Sequence, residues 1–80
     1  METIVTDTRL AIRMRHDGRT DFLDENGYIY QYPDSTISYC ECEIDKAKKA
    51  AKQLRKEAYT SPDYKIDVVK VTEYVKITKV

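Results

Sequence analysis

Residues 44–58 read Ile44-Asp45-Lys46-Ala47-Lys48-Lys49-Ala50-Ala51-Lys52-Gln53-Leu54-Arg55-Lys56-Glu57-Ala58, and this stretch decides the fold. Ile44, Ala47, Ala51, Leu54 and Ala58 are spaced 3, 4, 3 and 4, the apolar stripe of an amphipathic helix. Lysine and arginine cover the remaining faces. Glu43 and Asp45 stand at the start and Arg55 and Lys56 near the end, the order that suits a helix dipole. The stripe is narrow and rich in alanine, so it predicts close packing onto a sheet.

The residues before the helix follow period two. From Thr8 to Arg15, Leu10, Ile12 and Met14 fall on one side and Arg9, Ala11, Arg13 and Arg15 on the other. That alternation predicts a half-buried strand. His16-Asp17-Gly18-Arg19 is a turn whose Asp-Gly pair suits the positive φ of a tight hairpin, and a second strand follows over Thr20–Leu23. Asp24-Glu25-Asn26-Gly27 is the strongest turn signal, with Asn-Gly suited to two consecutive positive φ values. Tyr28 to Tyr32 then predicts a third strand with Tyr28, Tyr30 and Tyr32 on one face. Pro33-Asp34-Ser35 interrupts it, and Thr36 to Cys42 reads as a fourth extended piece.

After the helix, Ser61-Pro62-Asp63 turns the chain. Tyr64 to Val80 is extended without a Gly or Pro, and one long, bent strand is favoured over a hairpin. Ile66 and Val68 share one face, whereas Val69, Val71, Val75 and Ile77 share the other. A bulge, a strand covered on both faces, or a strand leaving for a partner chain would each produce that switch. The expected fold is α+β: one domain over residues 1–80, ordered β-β-β-(β)-α-β, with an antiparallel sheet of four to five strands and the helix across one face.

Eighty residues bury only roughly 60 % of the surface their unfolded chain exposes, so the core is thin and no deep ligand pocket is expected. The apolar share is 41 %, the formal net charge zero, and seven of the eight aromatic residues are Tyr. That is the composition of a folded chain rather than a disordered one. No apolar run approaches the ~20 residues of a membrane span, and Met1 to Val5 does not resemble a signal peptide, which predicts a cytoplasmic protein. Cys40 and Cys42 read as two reduced side chains on one strand face, too awkwardly placed for an ordinary disulfide.

The residues for chemistry are sparse. The single histidine, His16, falls in a turn with no obvious nucleophile beside it, so it reads as a solvated turn residue. Two glycines cannot make a phosphate-cradling loop. Asp17, Asp21, Asp24 and Asn26 lack the spacing and closing Glu of a calcium loop. The sequence therefore predicts neither an enzyme nor a cofactor or metal site.

Charge is the informative feature. Residues 1–45 carry four Arg and no Lys against ten acids, a net of −6, and residues 46–80 carry the balancing +6. Both halves can be read as solvated surfaces that attract each other within the fold. They can also be read as poles for a partner. On that reading, Asp17, Asp21, Asp24, Glu25, Tyr28, Tyr30, Tyr32 and Asp34 form an acidic, tyrosine-bearing surface for a protein with a basic face, because Tyr combines area with a hydroxyl at low entropic cost. The alternative is a nucleic-acid surface made of Arg9, Arg13, Arg15, Lys48, Lys49, Lys52, Arg55 and Lys56, with the tyrosines stacking bases. The pI of about 6.6 is low for a dedicated nucleic-acid binder and favours the first. Cross-strand packing is the plain account of the tyrosines. A homodimer through the edge of the C-terminal strand is a further expectation.

The Phe22-Leu23-Asp24-Glu25-Asn26-Gly27 hairpin, the helix with Ala47, Ala50, Ala51 and Leu54, and the Val-rich final strand together resemble the layout of small orphan bacteriophage proteins of the anti-defence, anti-CRISPR-like type. The resemblance covers most of the chain in layout and carries over no functional residue. It implies a viral inhibitor that binds a host nucleic-acid-handling or defence protein in the host cytoplasm, often through an acidic surface.

Overall fold

The computed structural model describes residues 2–80. It contains β1 (Glu2–His16), β2 (Arg19–Leu23), β3 (Ile29–Tyr30), β4 (Tyr39–Cys40), a 3-10 turn (Glu41–Glu43), α1 (Ile44–Glu57) and β5 (Lys65–Ile77). The sheet is antiparallel throughout, and β1 is its spine. One edge of β1 pairs with β5 from Glu2↔Ile77 to Arg15↔Lys65. The other edge pairs first with β4 at Arg9↔Cys40 and Leu10↔Tyr39, then with β2 from Ile12↔Leu23 to His16↔Arg19. β3 lies outside β2 through Phe22↔Tyr30 and Leu23↔Ile29.

The expected α+β architecture and element order are therefore present, with one long strand after the helix. β1 is longer than its alternation indicated. It reaches back to Glu2, and the register shifts between Val5 and Asp7. The irregularity lies in β1, opposite β5, and not at Val68-Val69. β5 keeps its alternation, so its apolar switch reflects a strand with valines on both faces. Ile66 and Val68 pair with Met14 and Ile12 on the core side, while Val69 pairs with Ala11 behind it.

The core lies between α1 and the half of the sheet from Leu10 to Met14. Leu10, Ile12, Met14, Leu23, Tyr39, Ala47, Ala51, Leu54 and Ile66 form one buried cluster. Ala47, Ala51 and Leu54 are the buried part of the helical stripe; Ile44 and Ala58 at its ends are exposed. Small side chains at 47 and 51 let the helix approach the sheet closely. From Thr8 back to Glu2, β1 and β5 continue as a two-stranded ribbon with no helix over it among the described residues. Ile4, Val5, Tyr74, Val75 and Ile77 are exposed there, and the molecule extends over 51 × 29 × 16 Å.

The turns follow their chemistry with one difference. Asp17 and Gly18 both have positive φ (53° and 72°), so the His16–Arg19 hairpin closes with the mirror-image turn that matches strand twist. In the next loop only Gly27 has positive φ, at 87°. Asn26 does not, because Asp24 organises the loop instead. Its Oδ1 accepts the Asn26 amide at 2.9 Å and the Tyr28 amide at 3.0 Å. The loop lies against the helix end, where a Cβ on Gly27 would stand 3.2 Å from Leu54 Cδ2. The Tyr59 hydroxyl donates to the Gly27 carbonyl at 2.6 Å.

Gly27→Ala and Gly18→Ala should therefore separate in thermal unfolding. Both must hold alanine at positive φ, at about 1 kcal/mol each. Only Gly27→Ala also presses on Leu54, so its Tm is expected to fall further, since nothing lies within 4 Å of a Cβ at Gly18.

Candidate partner-binding surface

Three short segments meet at the exit of the sheet: the loop after β2, the approach to β4, and the start of α1. Between them is an open cavity of about 420 Å³. Its walls include Asp24, Glu25, Tyr30, Tyr39, Glu43 and Lys46. Tyr39 and Tyr30 each sit on a two-residue strand, which fixes the direction of both rings. Glu43 is positioned by capping, since its Oε1 accepts the Cys40 amide at 3.1 Å ahead of the helix. That bond holds the Glu43 carboxyl below its usual range, with help from Lys46.

The acidic set divides into residues that build the loops and residues left free. Asp24 accepts two amides, and its Oδ2 accepts the Tyr30 hydroxyl at 3.1 Å, which holds the Tyr30 phenol above its ordinary value. Asp34 accepts the Thr36 hydroxyl and amide and is held below the usual carboxylate range by them. Asp21 pairs with Arg19 at 3.2 Å and its side chain is only 14 % exposed. Glu25, Tyr28 and Tyr32 make no side-chain hydrogen bond or ion pair among the described residues, and Tyr28 and Tyr32 are 68 % and 71 % exposed. Asp17 is at the far hairpin tip, about 20 Å along the strand from Asp24 at ~3.3 Å per residue. The structure thus gathers Asp24, Glu25 and Tyr30 at one cavity, with Tyr28 in the adjoining loop, and leaves Asp17 and Asp21 apart. The three tyrosines do not share a strand face, because β3 is only Ile29–Tyr30.

The basic set divides in a similar way. Arg13 grips Asp67 in a two-pronged pair, Nε–Oδ1 at 2.9 Å and Nη2–Oδ2 at 2.6 Å, and Arg15 approaches the same carboxylate at 3.5 Å. Arg9 donates to the Ser38 carbonyl at 3.2 Å, and Arg55 donates to the Ile66 carbonyl at 2.9 Å. The arginines therefore hold the sheet together. Lys48, Lys49, Lys52 and Lys56 are exposed on α1 without an ion pair among the described residues.

Other sequence expectations are refined. His16 is the last residue of β1, half-buried, with its ring stacked on Tyr64 at a centroid distance of 4.4 Å. It is a packing residue more than a solvated one. Cys40 ends β4 and Cys42 lies in the 3-10 turn, so they do not share a strand face; both are free. Hydrogen bonding with the Cys42 sulfur and then Glu43 pushes the Cys40 thiol up. Sequence reading missed Tyr39, Glu43 and Lys46 as cavity residues. The sequence placed Tyr39 in an extended piece and Glu43 and Lys46 at the helix start, and no short-range signal brings the two together. Among the described residues, no helix is long and apolar enough to cross a membrane. Comparison with known proteins finds no matching family model, no similar curated protein and no similar solved structure.

The Arg13–Asp67 pair yields a pH test. Bonding to Arg13 lowers the Asp67 carboxyl, so its contribution is complete above the unfolded aspartate value of about 3.9 and fades as pH drops through the lower folded value. Solvent reaches both side chains, so Asp67→Asn should cost about 1 kcal/mol at neutral pH. In urea titrations, the gap between the two proteins should narrow below about pH 4.

Proposed function

We propose that the chain acts without catalysis, by binding a protein with a basic surface through Glu25 at the acidic cavity and the exposed Tyr28 and Tyr32 that follow it in the chain. The observation that supports this most is the contrast in free groups. Glu25, Tyr28 and Tyr32 have no partner among the described residues, whereas Arg9, Arg13, Arg15 and Arg55 are engaged within the fold. Exposed tyrosines beside carboxylates supply contact area, hydroxyls and attraction for lysine and arginine together. Following the layout resemblance, the partner class is a host nucleic-acid-handling or defence protein, and the chain is its viral inhibitor or modulator in the host cytoplasm.

Nucleic-acid binding is the rival reading, and the free lysines of α1 favour it. Capture of a purified nucleic-acid-handling protein, compared with gel shifts on DNA and RNA, separates the two. Glu25→Lys combined with Tyr28→Ala and Tyr32→Ala should weaken protein capture by about tenfold or more, roughly 1.4 kcal/mol. Asp24 and Asp34 are unsuitable for this test because their loops depend on them. Tight nucleic-acid binding at physiological salt that is lost with Lys52→Glu and Lys56→Glu would overturn the proposal.

The same reading seats a second copy of the chain against the ribbon. β5 pairs only with β1 among the described residues, so its outer edge is open beside exposed Tyr74, Val75 and Ile77. Sedimentation velocity should show a dimer at micromolar concentration that Val75→Lys converts to monomer. A wild-type monomer over that range removes the second copy from the proposal.

A further inference from the structure

The cavity between the β2–β3 loop and the start of α1 contains a buried hydroxyl that the fold does not use. Tyr39 is 7 % exposed and packs its ring into the core cluster. Its hydroxyl makes no hydrogen bond among the described residues, unlike the hydroxyls of Tyr30 and Tyr59. Nor is it sealed in: the one side-chain polar atom both fully enclosed and without a partner there is Arg9 Nε. The Tyr39 hydroxyl therefore opens into the cavity that its ring helps to line.

What surrounds that hydroxyl is mostly acceptors. Asp24, Glu25 and Glu43 line the cavity against a single ammonium, that of Lys46. Burial raises the Tyr39 phenol, and the charges of Glu25, Asp24 and Glu43 raise it further, so all three carboxylates act on this hydroxyl. Lys46 is already drawn to Glu43 at 3.6 Å. The Asp24 carboxylate already accepts three donors. The Glu25 carboxylate is free. The Ser38 hydroxyl donates to the Asp34 carbonyl at 2.7 Å and so faces a ligand as an acceptor.

An anion is repelled here. A metal ion requires ligands that converge, and no three of His, Cys, Asp and Glu do so among the described residues. Spread acceptors around an aromatic hydroxyl suit a planar donor with several N–H groups at fixed angles, which is a guanidinium rather than a compact ammonium.

We propose that this cavity receives the guanidinium of an arginine on the partner protein, with Glu25 as the carboxylate that pairs with it and the Tyr39 hydroxyl as a further acceptor. The proposal rests on the protein-binding reading above and names the group that would be recognised.

The test uses the full chain, isotopically labelled, with N-acetyl-arginine amide as probe and the lysine and citrulline amides as controls. Citrulline keeps the shape of arginine without its charge. Saturable amide shifts at Asn26, Ser38 and Tyr39 are expected with the arginine probe, in the millimolar range (~1–10 mM) typical of one small anchoring group. The citrulline probe should produce none and the lysine probe weaker ones. Glu25→Gln and Tyr39→Phe should each weaken the response about threefold or more. Tyr39→Phe removes a hydroxyl with no partner in the fold, so its Tm should hold or rise. A loss of binding with an unchanged Tm therefore marks recognition and not misfolding.

Equal responses to arginine and citrulline, or an arginine response undiminished in both variants, would overturn the proposal. A lysine response as strong as that to arginine would overturn the guanidinium assignment. If partner capture depends on Glu25, Tyr28 and Tyr32 but the arginine probe gives no response, the cavity proposal fails and the protein-binding reading stands. If the probe binds as expected but capture does not depend on those residues, the reverse holds.

Discussion

Pairing of β1 with β5 runs from Arg15↔Lys65 to Glu2↔Ile77, and the other elements attach to only half of it. In the Leu10–Met14 half, each face of β1 has a separate task. Leu10, Ile12 and Met14 meet the helix, while Arg9, Arg13 and Arg15 engage backbone and carboxylate groups on the opposite side. Ala11 between them is fully buried, since it is too small to rise above its neighbours. Among the described residues, no third strand and no helix cover the Glu2–Thr8 half. A two-stranded ribbon alone is marginal in water, so this half depends on the other for its order.

The spine also determines how charge is distributed in space. Along the chain the two halves carry opposite net charge, but the strand pairing folds one onto the other. Asp67 from the basic half lies across from Arg13 of the acidic half, and Glu41 meets Lys70 at 3.4 Å. The Glu41–Lys70 pair offsets one charge of each pole, whereas the Arg13–Asp67 pair joins the minority charges of the two halves and leaves the segregation in place. That segregation is local in space: the carboxylates at the β2–β3 loop and helix start, and the lysines on the outer face of α1. The arginines are absorbed because a guanidinium bridges strands and carbonyls well, whereas lysine is left to solvent.

The parts of the fold legible in the sequence were those governed by short-range rules. The 3-4-3-4 spacing around Ala47, Ala51 and Leu54 needs only helical geometry, and Asp17-Gly18 needs only turn geometry. The parts that were not legible depend on distant partners. Nothing near Ile4 and Val5 shows that they form a strand, because the strand exists through Val75 and Tyr74 about seventy residues away. Asn26-Gly27 has the signature of a mirror-image turn, yet the Asp24 carboxylate captures two amides and selects a wider loop. The candidate surface was half legible for the same reason. Acidic residues could be counted, but which of them would be used up inside loops could not.

Tyr39 brings these arguments together. For stability alone, phenylalanine would fill the same space, and its ring would pack on Leu10 and the helix without a polar atom to satisfy. A tyrosine hydroxyl drawn most of the way out of water and given no partner costs about 1–3 kcal/mol when fully enclosed, and less here because it touches the cavity. The three neighbouring carboxylates do not relieve that cost, since none of them accepts a hydrogen bond from the hydroxyl among the described residues. They do create a potential that favours any cation entering beside the hydroxyl. The stability of the isolated chain therefore accounts for the ring at this position, and for Asp24 and Glu43 as ties of the loop and the helix start, whereas the Tyr39 oxygen and the free Glu25 carboxylate are what a cationic ligand would use.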